Sequence, residues 1–165
     1  MKYIVLLLLI FGSNLGAQTL MTKVYGQTDG WASDPTAVSL DSPTLLAREI
    51  LQNFESGLME ALFSQGYICF NSTPELIGET LSSTEFSRVF LEAQEGGAGQ
   101  VILLDSKILL PNERGQTQAI GRALLMSSRG QLLAEVPISP LLTNNAEAEG
   151  QAVALYLLEK LIQGL

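Results

Sequence analysis

The sequence predicts an α/β (α+β) fold, a two-layer mixed sheet of about four to five strands with helices packed mainly on one face. Apolar residues recur every third or fourth position in several segments, as they do in amphipathic helices. Short apolar runs lie between these segments, as strands do, and three consecutive runs are separated only by short polar turns. The predicted order is strand, helix, strand, helix, three strands, helix.

The amino-terminal end of the chain has the layout of a secretory signal peptide. Met1 and Lys2 form a short basic start, Tyr3–Phe11 is almost entirely apolar, and small residues lead up to Ala17. An apolar core of about nine residues is too short to span a membrane, which takes about 20. We therefore expect cleavage near Ala17, a periplasmic or secreted mature chain that starts near Gln18, and no integral membrane segment after cleavage.

After this leader (residues 1–17), we expect an amino-terminal arm (residues 18–43) and a single α/β domain (residues 44–165). Leu20–Tyr25 predicts one short strand in the arm. Trp31 either packs against the edge of the domain or anchors a partner, because exposed aromatic side chains are favoured anchors. On the second interpretation, loss of residues 18–33 weakens partner capture more than it weakens the fold.

Ser42 and Pro43 begin the first predicted helix, since serine caps helices and proline suits the first helical position. Its apolar face is Leu46, Ile50, Phe54, Leu58 and Leu62. Gly66 ends the helix, as glycine often does. Tyr67–Phe70 is a continuous apolar run, which predicts a strand buried on both faces and makes Cys69 a core residue.

Thr73–Glu75 predicts a short helical turn that continues through Leu81. Ser82–Glu85 then matches a capping box that begins the second helix. Its predicted apolar face is Phe86, Val89, Phe90 and Ala93. Gly96–Gly99 ends it. A phosphate-binding role for these glycines is disfavoured, because such loops lead from a strand into a helix.

Val101–Leu110, Gln116–Met126 and Gln131–Ile138 predict an antiparallel meander. Asn144–Glu147 is expected to cap the last helix. The main apolar face expected for that helix is Ala148, Ala152, Leu155, Leu158 and Ile162, broadened by Ala154, Leu157 and Leu161. The residues expected to share one core are Phe54, Leu58, Ile68, Phe70, Leu155 and Leu158.

Three of these segments resemble a group of bacterial periplasmic domains. Thr44–Phe70 resembles the first helix and second strand of the amino-terminal domain of TolB. Glu92–Leu104 resembles the helix-to-strand segment of that group, and Arg129–Ala134 resembles its "x-Gly-x-Leu-Leu-Ala" strand. Similar folds occur in the penicillin-binding-protein activator LpoB and the curli secretion protein CsgG. The resemblance covers residues 44–164 and implies a periplasmic α/β domain.

Composition limits the classes of function. The net charge of −8 disfavours nucleic acid as a partner, because phosphate binding needs a basic surface. The chain has no histidine, which removes the usual catalytic triads and the commonest metal ligand. One cysteine cannot form an internal disulfide, and an exported domain without disulfides suits a bacterial periplasm. We predict no enzyme, no catalytic residue, no cofactor and no metal.

The favoured hypothesis is an exported, non-enzymatic protein that binds another envelope or periplasmic protein through a free sheet face or edge strand. Asp105 and Lys107 alternate along a strand, so they share one face, either as a solvated charge pair or as part of a binding surface. With Tyr25 and Trp31 of the arm they are the candidate partner contacts. The alternative hypothesis is a carrier of a small apolar ligand, which requires a cavity.

Overall fold

A computed structural model of the chain describes residues 18–29, 42–110 and 116–163. The predicted leader and Trp31 lie outside these ranges. The described elements are β1 (Thr19–Gln27), α1 (Ser42–Ser64), β2 (Ile68–Asn71), β3 (Glu75–Ile77), α2 (Ser83–Glu95), β4 (Gln100–Leu109), β5 (Gln118–Ser127), β6 (Leu132–Leu141) and α3 (Ala146–Gln163). The predicted fold class is confirmed, a mixed sheet with helices mainly on one face.

The strand order is β2-β1-β4-β5-β6, and β3 pairs with the second half of β1 at the same edge as β2. β1 is parallel to β2, β3 and β4. The strand predicted at Leu20–Tyr25 is therefore present, and it lies inside the sheet, between β2 and β4. Thr22 and Lys23 interrupt the apolar run, so the sequence did not show how deeply β1 is buried.

The predicted meander is confirmed. β4 pairs with β5 over ten residue pairs, and β5 pairs with β6, both antiparallel. Gly130 lies in the turn between β5 and β6 with a φ of 80°, a backbone conformation that favours glycine. β4, β5 and β6 thus form one antiparallel half of the sheet.

The apolar side chains form two clusters, one on each side of the sheet. The larger cluster lies beneath α1 and α3 and includes Phe54, Leu58, Ile102, Leu125, Leu157 and Leu158. The smaller cluster lies beneath α2 and includes Met21, Val89, Phe90, Leu103 and Met126. The expectation of one shared core is wrong, because Phe70 packs against the smaller cluster while Ile68 and Leu155 are at least half exposed.

Burial of β2 on both faces was also wrongly expected. β2 is an edge strand, and the side chain of Ile68 is 54% exposed. Cys69 is half-buried and packs against the larger cluster. Burial raises the pKa of its thiol to about 11, so the thiol stays protonated near neutral pH. Cys69 thus packs as a small apolar residue and is a poor nucleophile.

The segment after Pro74 is a strand, which corrects the predicted helical turn through Leu81. Glu75–Ile77 pairs with Tyr25–Gln27 of β1, and Leu76 is buried in the larger cluster. Pairing with a distant strand outweighs the local preference of so short a segment. The capping box that follows is confirmed, since the Ser82 hydroxyl accepts from the Glu85 amide and the Glu85 carboxylate accepts from the Ser82 amide.

The face of α3 that packs inward differs from the predicted face. The buried residues are Ala146, Gly150, Val153, Ala154, Leu157, Leu158 and Leu161. Of the predicted main face only Leu158 is buried, and Ala148, Ala152, Leu155 and Ile162 are exposed, whereas the residues expected to broaden that face, Ala154, Leu157 and Leu161, are buried. The helix is apolar on most sides, so its periodicity alone did not select one face.

Two glycines determine how α3 meets α1. A Cβ on Gly150 would lie 2.1 Å from the carbonyl oxygen of Phe54, and a Cβ on Gly57 would lie 2.0 Å from that of Glu147. Glycine on both helices thus permits backbone contact and turns the Gly150 side of α3 inward.

The side-chain cap expected at the start of α3 is replaced by a turn contact. The Asn145 side-chain oxygen accepts a hydrogen bond from the Leu142 amide at 2.7 Å.

Candidate functional site

The sheet face opposite α1 and α3 is only partly covered by a described helix. α2 packs over one part of it, above the smaller cluster. Among the described residues, the rest of this face forms a groove, which we call the open face and define by Gln27, Asp105, Lys107, Ile120, Arg122, Glu135 and Pro137. These residues come from β1, β4, β5 and β6, so the open face spans four neighbouring strands.

A chain of polar contacts crosses the open face. The Gln27 amide donates to Asp105 Oδ1 at 2.6 Å. Arg122 lies opposite Asp105 on the neighbouring strand, with its Nε 3.8 Å from Asp105 Oδ2. The Arg122 Nη1 atom lies 3.2 Å from Glu135 Oε1. Because each contact joins adjacent strands, the side chains form a continuous polar row across the sheet.

Asp105 and Lys107 share this face, as alternation predicts, but they do not form the expected charge pair. Lys107 pairs with Asp29, which follows β1, while Asp105 contacts Gln27 and Arg122. Lys107, Asp29 and Arg122 are each about half exposed. Ion pairs this accessible to solvent contribute about 0–1 kcal/mol, so charges of a partner can replace them at little cost.

Tyr25, a predicted partner contact, is buried in the smaller cluster with 1% of its surface exposed. Burial, reinforced by the charge of Glu75, raises the pKa of Tyr25 to about 12, so the phenol is neutral. Its side chain therefore supports the sheet beneath α2 and does not reach the surface. Trp31, the other aromatic candidate, lies outside the described residues.

A buried lysine on β1 was missed by the sequence analysis. Lys23 is 3% exposed, its Nζ donates to Ser72 Oγ at 2.6 Å, and it pairs with the Glu75 carboxylate. The ammonium also lies 5.3 Å from the centre of the Tyr25 ring. These partners compensate the charge of Lys23, so its ammonium is not available to bind a ligand. The ion pair with Glu75 links β3 to β1.

The carboxylate of Glu149, in the first turn of α3, makes a structural contact. Glu149 Oε1 accepts from the Ser139 amide at 2.9 Å, which joins α3 to β6. Within residues 18–29, 42–110 and 116–163, no group of three or more histidine, cysteine, aspartate or glutamate residues is placed to hold a metal. No helix in those ranges is long and apolar enough to cross a membrane.

No family model matches the chain, and no curated protein matches it. Among solved structures, a PelC dodecamer from Paraburkholderia phytofirmans aligns over 88% of this chain and 89% of the PelC chain, with 9% identity and a TM-score of 0.46. Lipoprotein GNA1162 from Neisseria meningitidis aligns over 85% of this chain and 94% of its own, with 14% identity and a TM-score of 0.37. These similarities are remote, and the resemblance to TolB, LpoB and CsgG stays a prediction.

Proposed function

We propose that this protein is an exported, non-enzymatic binding domain whose open face docks another envelope or periplasmic protein. One observation carries the proposal: four paired strands present a continuous array of charged and polar side chains that no described helix covers. The array includes Ile120, which is 37% exposed, and Pro137, which add apolar contact area among the charges. Protein interfaces combine such polar and apolar groups.

The geometry suits a protein partner of mixed charge. Asp105 and Glu135 provide negative charge, Lys107 and Arg122 provide positive charge, and weak pairs among them can be exchanged for pairs with a partner. The strands beneath are paired along most of their length, so little ordering is needed on binding. A rigid surface with exchangeable charges favours specific docking.

A binding role without catalysis is supported by how the carboxylates are used. Both Asp105 and Glu135 contact Arg122, and Asp105 also accepts from Gln27. Catalytic carboxylate pairs instead require a cleft in which burial separates the two pKa values. The grooves described in this chain are all bordered by polar side chains, which gives the alternative of an apolar-ligand carrier no specific support.

Export is supported by the basic start and apolar run that precede Ala17. Expression of the full chain in a bacterium, followed by amino-terminal sequencing of the periplasmic fraction, tests this part. We expect a mature chain that begins near Gln18. Protein that still began at Met1 in that fraction would contradict the cleavage.

The docking surface is tested by reversing one charge. We expect Arg122→Glu to reduce the capture of partner protein from an envelope extract about tenfold, because it places a third negative charge beside Asp105 and Glu135. Arg129→Glu, in the turn between β5 and β6, is the matched control and should capture as the wild type does. Equal capture by wild type and Arg122→Glu, with both folded, would rule out the open face.

A further inference from the structure

A second groove lies on the other side of the sheet, between α1 and the edge strand β2. Glu55 of α1 forms part of its wall and is 5% exposed. Thr22 of β1 lies below, and its hydroxyl donates to Glu55 Oε1 at 3.4 Å. Met59 and Phe63 continue the wall along α1, and Asn71 at the end of β2 borders the groove. The groove thus combines a buried carboxylate with an apolar wall.

The charge of Glu55 is not balanced by an ion pair with any residue that the structure describes. Lys23, the neighbour of Thr22 in β1, points to the opposite sheet face and pairs with Glu75, although its charge still attracts the Glu55 carboxylate, which also receives a hydrogen bond from Asn71. The other charged side chain that lines the groove, Glu60, is also acidic. Burial raises the pKa of Glu55 above its ordinary value, which shows that the charged form is poorly solvated. A cation placed in the groove would stabilise that form.

Beside the groove, no described strand pairs with the outer edge of β2. β2 pairs with β1, and the Ile68 amide donates inward to the Gln18 carbonyl at 3.1 Å. Because backbone groups alternate along a strand, the N–H and C=O groups of Cys69 and Asn71 point away from β1. An unpaired edge of this kind accepts an added strand. Alternate side chains of that strand would lie on the Asn71 side of the sheet, which is the side of the groove.

We propose that the β2 edge and this groove bind an extended segment of a partner protein, which pairs with β2 and places a lysine or arginine side chain over Glu55. Charge complementarity selects the basic side chain, since the described residues that line the groove include two carboxylates and no cation. The alkyl stem of lysine or arginine can pack against Met59 and Phe63 while its charged end reaches Glu55. This surface is separate from the open face.

The proposal is tested by selecting peptides that bind the wild-type protein from a display library of random sequences. The peptides are about eight residues long, which is within the length of ordinary strands. We expect enrichment of peptides with a lysine or arginine, and a Kd for the best peptide that rises about tenfold for Glu55→Gln. Glu49→Gln, on an exposed position of α1, is the matched control and should leave the Kd unchanged. Selected peptides without a basic preference, or an affinity insensitive to Glu55→Gln, would overturn the inference.

Hydrogen exchange of the complex separates strand pairing from simple ion binding. We expect the amides of Cys69 and Asn71 to exchange more slowly when the selected peptide is bound, because they would donate to its carbonyl groups. Unchanged exchange, or equally tight binding of free spermidine, would defeat the extended segment as occupant. Arg122→Glu should leave peptide binding unchanged, so failure of the open-face proposal would not affect this result.

Discussion

Lys23 and Glu55 are both almost fully buried, yet only Lys23 forms an ion pair with a described residue. Lys23 contacts Glu75, Ser72 and the ring of Tyr25. Glu55 receives hydrogen bonds from Thr22 and Asn71 and is attracted by the charge of Lys23, but it forms no ion pair with the described residues, and burial outweighs these contacts. Desolvation makes every buried charge costly, and the cost is larger when no ion pair compensates it. Glu55 is therefore the residue whose conservative replacement is most informative.

Glu55→Gln should raise the thermal midpoint at neutral pH. The folded-state pKa of Glu55 lies above the ordinary 4.5, so the folded state holds the proton more tightly than the unfolded state. Wild-type stability therefore falls as pH rises from about 4.5 through the raised pKa. We expect the advantage of the variant at pH 7 to shrink as the pH is lowered through this window, measured by thermal melts.

The control for this experiment is Glu60→Gln, which changes an exposed carboxylate on the same helix. That carboxylate accepts from Gln151 at 2.9 Å. Its replacement should shift the midpoint little at any pH. A Glu55→Gln protein that was less stable than wild type at pH 7 would show that the ionised carboxylate is stabilised by its surroundings.

Phe54→Ala should lower the free energy of unfolding by about 3–5 kcal/mol, because it removes a large side chain from the larger cluster. Phe54 is fully buried, whereas Leu155, which the sequence placed in the same core, is half exposed. Leu155→Ala should therefore cost below about 1 kcal/mol. Urea unfolding of both variants checks this, and similar losses for the two would mean that the inward face of α3 is misplaced.

At the scale of elements, the contact between α1 and α3 depends on glycine. Gly150→Ala should lower the free energy of unfolding by about 1–3 kcal/mol, because the new Cβ would lie 2.1 Å from the Phe54 carbonyl oxygen and the helices must separate. Gly78→Ala is the control, since a Cβ there meets no atom within 4 Å. If Gly150→Ala were as stable as Gly78→Ala, close contact would not determine the orientation of α3.

At the scale of the whole molecule, β1 joins the two halves of the sheet. It pairs with β2 and β3 on one side and with β4 on the other, and it contributes residues to both clusters. Deletion of Thr19–Gln27 should therefore abolish cooperative unfolding and leave no folded domain to bind a partner. A circular dichroism melt of the truncated chain measures this, and a retained sharp transition would mean that β1 is dispensable.

Most of the correctly predicted parts of the fold come from patterns among residues close together in the chain. The spacing of apolar residues and the capping residues predicted α1, α2 and the capping box at Ser82. The polar turns between apolar runs predicted the meander. Alternation placed Asp105 and Lys107 on one face of a strand. Gln27, Arg122 and Glu135 could not be added to that face, because their positions depend on strand order.

The sequence by itself determined the fold class, the helices and the meander, because these depend on interactions between residues close in the chain. The tertiary structure decided which strand is central, which is at the edge and which side of α3 is buried. It also paired Lys23 with Glu75 and left Glu55 without an ion pair among the described residues. These outcomes follow from packing and strand pairing between distant segments, where competing arrangements differ by small free energies that local patterns do not record.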